Sequence, residues 1–368
     1  MREINVNTSK GYRILIGSNL RYEIGTLIDS FQFNKVAIIT DENVANFYLD
    51  DVTHALSPHV STVNYVVQAG ERSKSFADFE RIQQFLLDEQ LDRNSAVLAL
   101  GGGVVGDLAG FVASTYMRGI GFIQMPSTLL AHDSSVGGKV AINLSNVKNV
   151  IGQFYQPDLV IYDQAMLATL SDREFRSGLA EVIKHGFIQN GSLLESLLDK
   201  SQISIHDPDF SNILENSIHV KREIVENDER ESNIRQYLNL GHTLGHAIES
   251  VYSSHSVTHG ESVMIGILFD LYVSGLENGR GQSNLLNHSL IDWLTSLGYK
   301  LTVNNWESEK LITSMLADKK NDNQQIALIL LTTYGNPYVK HFDKKVIESY
   351  LEGFISYISQ TPNVKTLC

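Results

Sequence analysis

The chain has a single cysteine, Cys368, among 368 residues. One thiol cannot close an internal disulfide, so the fold must rest on its core, and a reducing cytosol is the expected compartment. Proline is scarce, at 6 residues, and 43% of the chain is hydrophobic, which excludes a fibrous or disordered polypeptide. Positive charge is short as well: 29 Lys and Arg stand against 42 Asp and Glu, a formal net charge of −13. That balance argues against nucleic acid or an anionic membrane as partner. It also means that any local cluster of Lys and Arg has a specific task. The N-terminus, MREINVNTSK, lacks the apolar stretch of a signal peptide. The longest apolar run, Val263 to Leu276, is interrupted by Asp270 and is too short to span a bilayer, so it reads as a buried helix.

At this length two domains are the default. Residues 3–7 and 12–16 alternate like two short strands. From Lys35 the rhythm becomes strand–helix–strand: KVAIIT, a helix that Asp41 can cap, STVNYVVQAG, a second helix, SAVLAL running into GGG, a third helix, and GFIQMPST. This alternation implies a doubly wound parallel sheet. It stops after DLVIYD, and from about residue 170 helical periodicity dominates, broken by a candidate hairpin at 327–339. The expected class is α/β: a Rossmann-like doubly wound parallel-sheet domain over residues 1–165, then a mostly α-helical domain over 166–368.

The stretch RQYLNLGHTLGHAIE is the most informative. Placed on a helix at about 100° per residue, Arg235, Asn239, His242, His246 and Glu249 share one stripe, while Leu240, Leu244, Ala247, Ile248 and Val251 take the other side. A surface helix usually fills its polar face with Lys and Glu. Two histidines at i, i+4 with an Asn and an Arg suit a metal or an anion better, although such a pair alone is common on surfaces. Seventeen residues beyond His242 comes His259, opening the buried helix in HGESVMIGI. Glu181 and Lys184, in GLAEVIKHG, sit among apolar neighbours that argue against a surface ion pair. One carboxylate and two imidazoles form a donor set suited to Zn²⁺ or Co²⁺ with positions left open.

In the first half, Gly101, Gly103 and Gly106 satisfy G-x-G-x-x-G between a strand and a helix, where backbone amides hold a pyrophosphate. The match alone is weak, because the acidic residue usual about 20 positions later is missing; Asp107 opens the helix instead. Asp41 and Asn43 follow the first buried strand, and Gly70-Glu71-Arg72-Ser73-Lys74 the second. Polar turns at the carboxyl ends of three strands favour a dinucleotide, though each could be a solvated turn. Cations gather at Arg118, Lys139 and Lys148-Asn149, and again at Lys184, Lys221 and Arg235.

With these motifs assembled, the chain resembles the 3-dehydroquinate synthases, within the sugar-phosphate cyclases. The resemblance runs from Lys35 to about Lys340 and is carried by DEN, GERSK, GGGVVGD, DSSVGGK with KNVIG, GLAEVIKHG, LNLGHTLGHAIE with HGE, and DKK at 318–320. It implies metal ligands at Glu181, His242 and His259. It implies NAD contacts at Asp41, Asn43, Glu71, Lys74, Gly102, Gly103, Val104, Asp107, Ser127, Thr128, Lys148 and Thr169. Substrate contacts would be Arg118, Asp133, Lys139, Asn149, Lys184, Lys221, Arg235, Asn239, His246 and one DKK lysine, Lys320. Two residues depart from the family pattern. Ser127 stands where Thr is usual and keeps the hydroxyl. Asn233 stands where Gly is usual, and as an Asn it tolerates positive φ.

The resemblance implies a cytoplasmic, homodimeric lyase of the shikimate pathway, dependent on NAD and on Zn²⁺ or Co²⁺. Its small-molecule substrate would be 3-deoxy-D-arabino-heptulosonate 7-phosphate (DAHP). Oxidation by NAD, phosphate elimination, re-reduction and an intramolecular aldol step would give 3-dehydroquinate. Three rivals stand beside it. A metal-dependent polyol dehydrogenase needs no set of anion-binding cations. A sister cyclase for sedoheptulose 7-phosphate or glucose 6-phosphate needs no carboxylate contact. A non-catalytic NAD- or metal-sensing protein needs no complete constellation.

Overall fold

A computed structural model describes residues 1–145, 147–189, 191–252, 257–279, 285–317, 325–362 and 364–367. The chain separates into two compact units: Met1–Ser171 with Arg222–Arg230, and Asp172–Lys221 with Glu231–Cys368.

The first unit is built on a seven-stranded sheet. Its strands are β1 (Arg2–Val6), β2 (Tyr12–Gly17), β3 (Lys35–Asp41), β4 (Ser61–Val67), β5 (Ala96–Gly101) and β6 (Gly121–Pro126). A separate antiparallel hairpin, β7 (Lys139–Leu144) with β8 (Val147–Phe154), follows before the seventh strand, β9 (Leu159–Asp163). The sheet order is β1-β2-β9-β6-β5-β3-β4. Every pair is parallel except β1 with β2, which form the N-terminal hairpin. Helices α1 (Ile24–Ile28), α2 (Glu42–Val44), α3 (Asp50–Leu56), α4 (Phe76–Asp88), α5 (Gly103–Thr115) and α6 (Ala131–Ser134) connect the strands. A π-helical stretch, Ala45–Leu49, joins α2 to α3.

Successive side chains of a strand point to opposite faces, and β3 shows the consequence. Ala37 and Ile39 pack with Ile82 and Leu86 of α4 and Leu108 and Val112 of α5. Val36 and Ile38 pack with Ile24 and Ile28 of α1 and Val52 and Leu56 of α3. Both faces are covered, which is why β3 and β5 read as continuous apolar runs. Each fully buried Val, Leu or Ile contributes about 1.5–3 kcal/mol by leaving water. Asp41 ends β3 and caps α2, its Oδ1 accepting from the N–H groups of Asn43 and Val44 at 2.9 and 3.0 Å.

The second unit is mostly helical. It holds α7 (Asp172–Ile188), α8 (Gly191–Leu198), α9 (Phe210–Asn227) as far as Lys221, α10 (His242–Val251), α11 (His259–Glu277), α12 (His288–Ser296), α13 (Ser308–Leu316) and α14 (Lys344–Gln360). Two short pairs complete it. Strands β10 (Thr302–Val303) and β13 (Thr366–Leu367) run parallel, and β11 (Gln325–Leu331) with β12 (Pro337–Asp343) is the hairpin expected from ALILLTTYGNPYV. Helix α11 is the buried helix read from the apolar run. It starts in a capping box, with the Thr258 side chain and the Glu261 carboxylate exchanging bonds across its first turn.

Helices α7, α10 and α11 approach one another more closely than side chains normally allow. A Cβ on Gly260 would lie 2.1 Å from the Ser177 carbonyl oxygen of α7, and one on Gly266 would lie 1.8 Å from the Gly241 carbonyl oxygen. Gly241 itself sits at φ 78. These backbone contacts between helices bring three candidate ligand side chains together.

Candidate metal centre and nucleotide turn

Each of those helices contributes one candidate ligand. Glu181 comes from α7, His242 from the first residue of α10 and His259 from the first residue of α11. Glu181 Oε1 is 3.5 Å from His242 Nε2 and 3.2 Å from His259 Nε2, and the three donor atoms lie within 4.8 Å of one another. Around a tetrahedral Zn²⁺ with bonds of about 2.0–2.1 Å, neighbouring donors stand roughly 3.3 Å apart. The donor set therefore fits such an ion. Glu181 Oε2 accepts from Lys184, and both side chains are buried.

The remote ring nitrogens are also held, as metal-binding imidazoles require. His242 Nδ1 is 3.1 Å from the Leu240 carbonyl oxygen, and His259 Nδ1 is 2.7 Å from Glu249 Oε1. Donation from each Nδ1–H leaves Nε2 facing Glu181. Burial pushes the His242 pKa well down, helped by the nearby Lys184 ammonium. Burial also opposes a charge on His259, but bonds to Glu181 and Glu249 outweigh it and push that pKa up to about 10. Glu249 shared the sequence stripe without a role of its own. The structure gives it the orientation of His259. Glu249→Gln is expected to weaken metal affinity by about ten- to a hundredfold, read by competition against a chromogenic chelator; unchanged affinity would remove that role.

His246 stands beside the cluster, its ring centroid 5.2 Å from that of His242 and 6.1 Å from that of His259. Lys221 and Arg235 are 6% and 1% exposed, so both are buried cations. The single helix read over Arg235–Glu249 is corrected. Ile234–Asn239 is a 3-10 turn, and α10 starts only at His242. Gly241, at φ 78 and pressed against Gly266, separates the two. Its N–H donates to Asp270 Oδ2 at 2.7 Å. Asn233 also differs from expectation, with φ −150 and ψ −107, while the left-handed residue of this turn is Glu231 at φ 58. The Glu231 carboxylate accepts from Asn239 Nδ2 at 3.1 Å. Lys320 lies outside the described residues.

In the first unit the glycine turn leads from β5 into α5. Gly102 occupies the N-cap position with no side-chain cap, leaving first-turn amides for a ligand. A Cβ on Gly102 would meet Thr128 at 3.1 Å and one on Gly103 would meet Ser134 Oγ at 3.1 Å. Ser127 is buried, and its Oγ has no hydrogen-bond partner among the described residues. An uncapped helix start, two bare glycines and an orphaned hydroxyl fit a pyrophosphate. Val104 follows in the first turn of α5, and Asp107 accepts from Lys74 Nζ at 2.6 Å. Lys74 also donates to Asn149 and stands 3.7 Å from Glu71. Thr169, past β9, bonds the Tyr48 hydroxyl at 2.7 Å. Arg118, Lys139, Lys148 and Asn149 are exposed, and Asp133 is partly exposed on α6. The hairpin β7–β8, which carries three of these, is not among the strands expected from the sequence.

Residues 64–177 match the family model for the 3-dehydroquinate synthase N-terminal part, and residues 178–321 match that for the C-terminal part. The 3-dehydroquinate synthase of Oceanobacillus iheyensis is 44% identical over 357 residues, covering 96% of this chain and 98% of that one. Among solved structures, 2-deoxy-scyllo-inosose synthase, complexed with carbaglucose-6-phosphate, NAD+ and Co2+, superposes with a TM-score of 0.86 at 22% identity, over 96% of this chain and all (100%) of its own. The 2-epi-5-epi-valiolone synthase of Streptomyces hygroscopicus subsp. jinggangensis, with NAD+ and Zn2+ bound, gives 0.85 at 21% identity over 96% and 99%. At these identities the two structures speak to the fold, whereas the sequence relative matches nearly end to end. On that full-length likeness, the chain belongs to the 3-dehydroquinate synthase family.

Proposed function

We infer that this chain converts DAHP to 3-dehydroquinate and inorganic phosphate, the shikimate-pathway reaction for which its family is named. The observation that carries the reading is the convergence of Glu181, His242 and His259, on three separate helices, in a chain of that family. The solved cyclases hold NAD+ with Co2+ or Zn2+, and the same pair of cofactors is assigned here. A cytoplasmic homodimer is the proposed setting. No helix among the described residues is long and apolar enough to cross a membrane.

When bound, Zn²⁺ or Co²⁺ would supply a Lewis acid for a substrate hydroxyl, and NAD a reversible hydride acceptor for its carbon. Glu181, His242 and His259 would hold the metal, with Glu249 and Leu240 fixing the imidazoles and Lys184 fixing the second carboxylate oxygen. The first turn of α5, with Ser127, Thr128, Glu71 and Lys74, would hold the dinucleotide, joined by Asp41, Asn43, Lys148 and Thr169. Arg118, Lys139, Asn149 and His246 are assigned to the phosphate. Lys221 and Arg235 are assigned to the C1 carboxylate, with Asp133, Lys184 and Asn239 orienting hydroxyls. Fixed cations hold a polyanion in one pose, which makes intramolecular steps fast.

Because the hydride leaves and returns, NAD should act catalytically. Many turnovers on one equivalent of NAD, with no NADH accumulating by absorbance, are expected. NADH formed mole for mole with product would favour the polyol dehydrogenase instead.

A further inference from the structure

The hairpin β7–β8 is irregular where its functional residues sit. Ile142 pairs with Ile151 and Leu144 with Val147, so Lys148, Asn149 and Val150 stand opposite Asn143 alone. A bulge of this kind breaks the ladder and re-aims side chains. Asn149 takes the left-handed backbone, at φ 54, which Asn tolerates better than most residues. Its N–H donates to Asn143 Oδ1 at 2.9 Å, so a side chain supplies an acceptor where the ladder is broken. The other end of the same amide reaches a different turn, with Asn143 Nδ2 donating to Glu71 Oε1 at 2.8 Å. The Asn143 main-chain N–H donates to the Lys74 carbonyl oxygen at 2.8 Å. Lys74 Nζ closes the circuit by donating to the Asn149 side chain.

Asn143 is thus bonded to three residues assigned above to a ligand, while it has no assignment of its own. We propose that Asn143 is a positioning residue, one side chain that fixes Glu71 for the nucleotide and the bulged Asn149 for the substrate phosphate. The inference rests on the assignment of NAD to Glu71 and Lys74 and of phosphate to Asn149. Its chemistry is directional. Only a side chain with an acceptor and a donor on the same short branch satisfies both the Asn149 N–H and the Glu71 carboxylate. Aspartate in its place keeps the acceptor but sets a second carboxylate against Glu71.

Calorimetric titration of the full chain with NAD, and separately with inorganic phosphate, tests this. Asn143→Ala should weaken each ligand about tenfold, the loss of one hydrogen bond to a charged or buried partner. Asn143→Asp should weaken NAD at least as much. Glu71→Gln alone should weaken NAD through its own lost contact. Combined with Asn143→Asp it restores a donor–acceptor pair with the roles exchanged, so the two losses should be clearly less than additive, a partial recovery. A merely structural role would lower the melting temperature of all these variants without that recovery. The inference is overturned if Asn143→Ala binds both ligands as wild type does, or if Glu71→Gln gives no recovery. Should Glu71→Gln and Asn149→Ala themselves bind NAD and phosphate like wild type, the ligand assignments fail and the inference falls with them. Weakened binding in those two variants but not in Asn143→Ala would overturn the inference alone.

Discussion

His242→Ala is expected to leave the protein without its divalent metal and to lower phosphate release from DAHP at least about a thousandfold, since metal activation supplies several kcal/mol of the rate enhancement. The expectation follows from where the imidazole stands. His242 Nε2 is one of three converging donors, with Glu181 and His259, and its Nδ1 is held by the Leu240 carbonyl oxygen. His246 supplies the control. It lies one turn further along α10, with its ring beside that of His242, but it is not among the three converging donors. His246→Ala should therefore keep its metal while losing roughly one to two decades of activity through the phosphate contact. Metal content per protein, measured on both variants at matched folding, separates the roles. A fully metallated His242→Ala protein would remove His242 from the ligand set.

Arg235→Lys should raise the KM for DAHP about ten- to a hundredfold, although charge is conserved. Arg235 is one of the largest fully buried side chains, 1% exposed, on the 3-10 turn that precedes α10 and its candidate ligand His242. A guanidinium in that position offers a planar fork to a carboxylate, and two parallel charge-assisted bonds are worth about 1.5–3 kcal/mol. Lysine offers a point charge and loses the fork. Sedoheptulose 7-phosphate, which lacks the C1 carboxylate, tells substrate recognition from packing. Wild type should strongly prefer DAHP, and Arg235→Lys should narrow that preference. A packing role would instead lower efficiency on both substrates alike. If wild type cyclised both sugars equally well, the carboxylate contact would be wrong and the sister-cyclase reading would replace it.

The sequence was most readable where one physical signal dominated. Strands such as KVAIITD and AVLALG are apolar on both faces, and a sheet covered on both sides leaves that pattern. Their alternation with helices revealed the doubly wound sheet, but the lateral order, with β5 between β6 and β3, depends on crossovers that no local pattern records. His242 and His259 were visible as a spacing. What the spacing could not show was the break at Gly241. Periodicity carries a helix straight through a glycine, whereas here Gly241 adopts φ 78 and rests against Gly266, a tertiary contact. The tolerance of Asn233 for positive φ is not called on, because the left-handed residue of the turn is Glu231, two positions earlier. The β7–β8 hairpin escaped because its bulge and its exposed second strand spoil the two-residue alternation. Asn143 was invisible with it. The orienting role of Glu249 depends on a partner ten residues away across a helix break.

If the Glu181–His242–His259 cluster is the metal centre of a phosphate-eliminating cyclase, one measurement reaches it directly. Inorganic phosphate released from DAHP is followed in the presence of NAD, first with the protein as isolated, then after exhaustive chelation, then after adding back Zn²⁺ or Co²⁺. Steady phosphate release that chelation abolishes, and that either ion restores together with 3-dehydroquinate formation, is the expected result. Phosphate release that persists in a protein shown to be metal-free, or a remetallated protein that binds NAD but never releases phosphate from DAHP, would contradict the account.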